Sequence, residues 1–238
     1  MAFFKKYLPI YAMTLSCFFL VSLFASRAVT TVAEAELAKP GVTLVIDPGH
    51  GGEDGGAVSC TGLPESGFNL EISLKLRDLL CFMGYSTKML READVSLHGP
   101  EAGTIAQKKV SDLKNRVKAV NKTENALFIS IHQNQFPESR YSGAQVFYAP
   151  TEGSRDLAEE TQALLVSALN PKSSRRCKAA GEVYLLKNIR CTGILVECGF
   201  LSNPVEEARL RDGNYQRRLC CVLACALDQF LTRRQNVI

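Results

Sequence analysis

Five consecutive strand-forming residues, Val42 to Ile46, break off into Asp47, Pro48, Gly49, His50, Gly51 and Gly52. An apolar run without polar alternation is a strand covered on both faces, and this calls for a parallel sheet with helices above and below it. In such sheets ligands gather beyond the carboxyl ends of the strands. The run therefore delivers a carboxylate and an imidazole to the place where chemistry is expected, in a turn whose glycines permit close approach. Taken alone, His50 reads equally as a hydrogen-bonding histidine in a glycine turn.

The rest of the chain repeats the alternation. Leu70, Leu76, Leu79, Leu80 and Met83 predict a helix over Asn69–Met83, closed by Gly84. A strand is expected at Ser86–Leu90, followed by a polar loop and a helix with Val110, Leu113, Val117 and Val120 on one face. Ala126–Ile131 is a second buried strand leading straight to His132. Further strands are expected at Ala144–Tyr148, Val183–Leu186 and Gly193–Glu197, with helices over Ser154–Leu169 and Tyr215–Leu231. Between the last strand and last helix, Asn203 as N-cap, Pro204 at the first helical position and Glu206 two residues later mark another helix start. Strands alternating with helices predict a single three-layer α/β domain, a mainly parallel twisted sheet flanked by helices. No boundary interrupts Val42 to Leu231, and a chain of 238 residues suits one sizeable core.

The first residues differ in kind. Lys5 and Lys6 precede a stretch, Tyr7 to Ala25, without a charged side chain. Residues 1–26 thus read as a signal peptide or an N-terminal membrane anchor, 27–40 as a polar tether and 41–238 as the folded domain. Small residues at Leu23–Ala25 and Ala33–Ala35 offer cleavage sites, and the lysines would stay in the cytoplasm while the rest is exported. A net charge of +4, spread along the chain without a basic stripe among aromatics, argues against nucleic acid as a partner. Nine cysteines in an exported chain would ordinarily suggest disulfides. Here Cys81, Cys198, Cys220, Cys221 and Cys225 fall within helix or strand patterns as small hydrophobes do, so mostly free thiols are expected.

Three strands end in functional side chains: Asp47 with His50, then His132, then Glu197. If the strands are parallel neighbours, these groups converge in one cleft. Two histidines and a carboxylate form a catalytic zinc arrangement, and a further Glu can take a proton from water.

DPGHGG at 47–52, an acidic residue before the first helix at Glu65, SIHQN at 130–134 and VECGFLSN at 196–203 resemble the zinc-dependent N-acetylmuramoyl-L-alanine amidases of bacterial cell walls. NRVKAVN at 115–121, IHQNQFP at 131–137, YSGAQVFY at 141–148 and VYLLKN at 183–188 are similar to one branch, the sporulation- and germination-specific spore-cortex amidases. The resemblance implies one catalytic Zn2+ held by His50, Glu65 and His132, with Glu197 as general base. It further implies hydrolysis of the amide between the N-acetylmuramic acid lactyl group and L-alanine in peptidoglycan, ahead of muramic lactam formation. The substrate partners implied are glycan strands with their stem peptides; a membrane is expected only through the N-terminal segment, and because no separate wall-binding module is read beside the domain, location is expected to come from that segment or from an accessory protein. The place of action implied is the extracytoplasmic face, in a sporulating cell the space between the membranes around the forespore.

The chain departs from the family at one point. A basic residue usually follows the acidic ligand, whereas Ser66 stands here, so Glu53, Asp54 and Glu71 compete with Glu65. Asp47 is expected either to orient His50 or to cap its turn. Arg91 and Asn134 are candidates for substrate contact, and His98 reads as a surface residue. Three rival readings stand beside the amidase. They are a thiol hydrolase built on Cys198 and His132, a structural zinc site from Cys220, Cys221 and Cys225, and a catalytically weak wall-binding scaffold of the same fold.

Overall fold

The computed structural model describes residues 41–235 and, ahead of them, Phe19 alone. The expected signal or anchor segment 1–26, Phe19 apart, and the tether 27–40 lie outside the described residues. None of the described helices is long and apolar enough to cross a membrane.

Six strands, β1 (Thr43–Pro48), β2 (Ser86–Met89), β3 (Ala126–Asn134), β4 (Gln145–Tyr148), β5 (Lys178–Ala179) and β6 (Thr192–Phe200), form one sheet in the order β2-β1-β3-β6-β4-β5. The helices are α1 (Glu65–Phe82), α2 (Ile105–Asn121), α3 (Ser154–Leu169), α4 (Tyr184–Asn188), α5 (Pro204–Arg211) and α6 (Gly213–Gln235). All pairings are parallel except β4 with β6, so the sheet is mainly parallel, as the alternation predicts.

Successive strand residues face opposite ways, and that parity organises the molecule. Leu44 and Ile46 of β1, Leu127, Ile129 and Ile131 of β3, and Ile194 and Val196 of β6 pack on one face against α1, α3 and α6. Val45, Phe128 and Leu195 take the other face and pack with Val120 of α2 and with Leu185 and Leu186. Each such side chain contributes about 1.5–3 kcal/mol by leaving water. Continuing along the second face, β1 reaches Asp47, β3 reaches Ser130 and His132, and β6 reaches Glu197. The register pairs Asp47 with Ser130 and His132 with Glu197.

The expected strand over Val183–Leu186 is instead helix α4. A short apolar run has no decisive period, and here Leu185 and Leu186 are both buried on the same core while Tyr184 stays 40% exposed. In α2 the expected apolar face is only partly the buried one: Val120 is fully buried and Val117 packs against the same core. Val110 is 51% exposed, and the stripe turned to the sheet is Asp112, Arg116 and Val120. Asn203 caps α5 as expected, its Oδ1 accepting from Val205 N and Glu206 N at 3.0 and 3.2 Å.

Candidate metal and catalytic centre

His50, Glu65 and His132 bring one nitrogen or oxygen each to within 4.8 Å of one another. Their elements differ. His50 stands in the turn after β1 at φ 60, a left-handed conformation unusual for a residue with a side chain. His132 belongs to the end of β3, which runs on to Asn134 rather than stopping at Ile131. Glu65 opens α1, where its own N–H donates to Ala57 O at 2.8 Å, and Ser66 N donates to Gly55 O at 3.0 Å. Those two bonds fold residues 55–57 over the helix start and answer its otherwise unpaired donors.

The Glu65 carboxylate is 3% exposed and sits between the imidazoles. Its Oε1 lies 3.0 Å from His132 Nδ1 and its Oε2 lies 3.3 Å from His50 Nε2. Oε1 also accepts from Gln133 N and Asn69 Nδ2, and Oε2 from Ala57 N. Burial pushes this carboxyl up, but the hydrogen bonds and charge of the two histidines outweigh it and hold the group well below the ordinary range. Burial likewise pulls His50 down, and Glu65 with Asp54 reverses that, raising it to about 8.

Asp54, rather than Asp47, orients His50, its Oδ2 lying 2.9 Å from Nδ1. The reason is geometric: Asp47 points into the layer beneath, where it is fully buried against Arg116 and accepts from Ser130 Oγ at 2.7 Å. Of the competitors to Glu65, Glu53 pairs with Lys108 at the surface, and Glu71 bonds Lys75 and Gln216. Arg91 is 3% exposed and turned to backbone carbonyls, which removes it from substrate contact. Asn134 is half-buried at the end of β3, where its carbonyl accepts from Leu201 N at 2.8 Å. His98 is half-buried, its Nδ1 2.9 Å from Ser96 Oγ.

Glu197 faces the same side as His132. Its Oε2 is buried and has no hydrogen-bond partner among the described residues. Burial above all pushes its carboxyl up to about 7, the two histidines opposing and Glu65 adding to the shift. Beside the histidines opens a cavity of about 210 Å³ with Leu113, Val183, Leu185 and Leu195 in its wall and Lys109 at its rim.

Cys198 turns to the opposite face, is 1% exposed, and has a thiol pushed well above its ordinary value by burial and by the neighbouring Glu197. A thiolate nucleophile is not available there. Cys220 is buried against Ile72 O, whereas Cys221 and Cys225 are exposed, so the three do not converge on a metal. All eight described cysteines are free.

Two further residues of the site are not among those the sequence points to. Asn69, one helical turn after Glu65, donates to both Glu65 and Gly49 O, and its spacing from Glu65 is the signal that could reveal it. Arg116 lies within NRVKAVN at 115–121, but nothing there singles it out, because a charged residue beside the apolar positions of a helix reads as solvated.

The N-acetylmuramoyl-L-alanine amidase family model matches residues 44–229. The germination-specific N-acetylmuramoyl-L-alanine amidase of Bacillus subtilis (strain 168) is 35% identical over 195 residues, 82% of this chain and 81% of the relative. LytC, an N-acetylmuramoyl-L-alanine amidase of the same organism, is 30% identical over 79% of this chain but only 36% of its own length. Among solved structures, the CwlD amidase from Clostridioides difficile, in complex with the GerS lipoprotein, superposes with a TM-score of 0.77 at 36% identity, covering 80% of this chain and 98% of that one. An N-acetylmuramoyl-L-alanine amidase from Clostridium difficile 630 gives 0.71 at 28% identity, over 82% of this chain and 98% of that one. A match running from β1 into α6, with relatives this similar over most of both chains, shows that the chain belongs to the N-acetylmuramoyl-L-alanine amidase family.

Proposed function

We propose that the protein hydrolyses the amide between the lactyl group of N-acetylmuramic acid and L-alanine in peptidoglycan, with zinc held by His50, Glu65 and His132 and with Glu197 as general base. The observation that carries this reading is the buried, unpartnered Glu197 Oε2 on the same side of the sheet as a metal-competent His-Glu-His group. Two imidazoles and one carboxylate, with a fourth position left for water or substrate, are the donor set of a hydrolytic zinc site. Asp54 completes the fit by holding His50 Nδ1–H, which leaves Nε2, the ring nitrogen on the Glu65 side, to serve as the metal donor. Zinc bound there would polarise the amide carbonyl and acidify the attacking water.

The chain's own residues do the rest. Glu197 Oε2 takes the proton from water and passes it to the alanine nitrogen as the C–N bond breaks. Burial raises this carboxyl, which favours the protonated form that serves the leaving nitrogen, while a bound cation would favour the carboxylate that takes the proton from water. The products are a muramic acid with a free lactyl carboxylate and a released stem peptide. Similarity to a germination-specific amidase favours the spore cortex as the substrate, with muramic lactam closure left to another enzyme. The complex of the similar CwlD amidase with a lipoprotein favours an accessory protein partner here as well. The N-terminal segment 1–26 would carry the domain 41–238 across the membrane, through the tether 27–40, to the extracytoplasmic face.

The test is digestion of purified peptidoglycan, with and without zinc and a chelator, and with products identified by mass spectrometry. Free stem peptides and peptide-free muramic acid formed only with metal are expected. Cleavage that survives complete chelation would overturn the metal role.

Gly49→Ala probes the ligand geometry directly. A Cβ at residue 49 would lie 2.2 Å from His132 Cε1 and Nε2, so the imidazole must move. Zinc affinity measured by titration calorimetry is expected to fall by roughly 10–100-fold, as for other disturbed ligand supports. Unchanged affinity would remove His132 from the ligand set.

A further inference from the structure

Two buried guanidiniums lie behind the turn that presents His50. Arg91 is 3% exposed, and its hydrogen bonds all go to backbone carbonyls: Nε to Pro48 O at 2.9 Å, Nη1 to Ala93 O at 3.0 Å, and Nη2 to Gly49 O and Ser66 O, both at 2.9 Å. Arg116 is 2% exposed and donates through Nη1 to Pro48 O at 2.9 Å and through Nη2 to His50 O at 2.7 Å. Its charge is met by Asp47 and by Asp112, whose Oδ2 is 2.7 Å from Nε. Between them the two side chains engage three consecutive carbonyls, those of residues 48, 49 and 50.

We propose that Arg91 and Arg116 are positioning residues for the metal site, clamping the His50 turn and, through Ser66, fixing its distance from Glu65. The inference rests on the reading of His50, Glu65 and His132 as metal ligands. Two features demand such a clamp. His50 sits at φ 60, where a residue with a Cβ does not remain unaided, and the Arg116 bond to its carbonyl holds it there. The second is that Arg91 bonds both the carbonyl of Gly49, beside one ligand, and that of Ser66, beside another, and so joins two segments that share no strand pairing. Packing reflects the same closeness: a Cβ on Gly51 would lie 2.9 Å from Arg91 Nε and 2.4 Å from Val95 O. An ammonium cannot substitute, because a single nitrogen does not span carbonyls on three sides of a planar fork.

The experiment compares Arg91→Lys and Arg116→Lys with Leu223→Ala, a change in the remote α6 core, and with His132→Ala. Zinc affinity is read by competition with a chromogenic chelator, and melting temperature is read on the chelated proteins. The Lys variants are expected to fold and to lose roughly tenfold or more in zinc affinity. Leu223→Ala, although it lowers melting, should leave affinity within about twofold, since a general loss of stability does not move the ligands. Lys variants that bind zinc as Leu223→Ala does would overturn the proposal, as would failure of both to fold while Leu223→Ala folds. If His132→Ala binds zinc as tightly as the wild type, the ligand reading itself fails, an outcome distinct from an unaffected Arg91→Lys.

Discussion

Glu197→Gln is expected to reduce release of stem peptides from peptidoglycan by roughly 10²–10⁴-fold, the usual contribution of a positioned acid–base group. The amide keeps the size and hydrogen-bonding reach of the carboxyl but cannot take a proton at neutral pH. Zinc affinity should stay close to that of the wild type, because the proposed ligands are His50, Glu65 and His132. The same variant carries a stability signature of opposite sign. In the folded chain burial pushes the Glu197 carboxyl from 4.5 up to about 7, so between those values the folded state holds a proton that the unfolded state has released. The contribution of Glu197 to the stability of the chelated wild type therefore falls as pH rises through that window. Gln has no proton to lose, and the variant should melt higher than the wild type above about pH 7. Activity lost together with stability gained would identify a group whose burial serves chemistry. Full activity in the variant would remove Glu197 from the mechanism.

The parts of this site legible in the sequence are those fixed by strand parity. Continuous apolar runs mark β1, β3 and β6, and the residues at their ends are His50, His132 and Glu197. Parity also puts Cys198 on the face opposite Glu197, and the buried thiol bears that out. Glu65 is harder to read. It is reached through a loop that supplies several acids, and only the helix start at residue 65, tied down by residues 55–57, decides among them. The role of Asp54 is hidden for a similar reason: the bridge between Gly51 and Asp54 curls the loop back so that its carboxylate reaches His50 from the far side. The burial of Arg116 is not legible because Asp112 and Arg116, charged and one turn apart, read as a solvated pair beside the apolar positions. What buries an arginine there is the Asp47 carboxylate, which arrives from another element. Register and loop curvature, rather than composition, settle such contacts, and a single sequence carries little of either.

The largest loss of stability is expected from Asp47→Ala. Asp47 is 0% exposed and accepts from both Arg116 and Ser130. Removing it leaves a buried guanidinium with Asp112 as its one remaining carboxylate partner among the described residues, and takes away the acceptor of the Ser130 hydroxyl. Breaking a buried pair in this way costs about 3–5 kcal/mol, against near zero for an exposed one. Equilibrium denaturation at pH 7 should show a midpoint moved to lower denaturant with an unchanged slope. The difference from the wild type should also depend on pH in a definite direction. Burial alone would raise the Asp47 carboxyl, but Arg116 and the Ser130 hydroxyl outweigh it and hold the group below 3.8. Its contribution is then complete above 3.8 and disappears as pH falls through the lower folded value, so wild type and variant should converge in acid. Because Arg116 also holds Pro48 O and His50 O, the variant that remains folded should bind zinc more weakly than the wild type. A stability change under about 0.5 kcal/mol, the range of ordinary surface substitutions, would show that this pair does not hold the layer under the site.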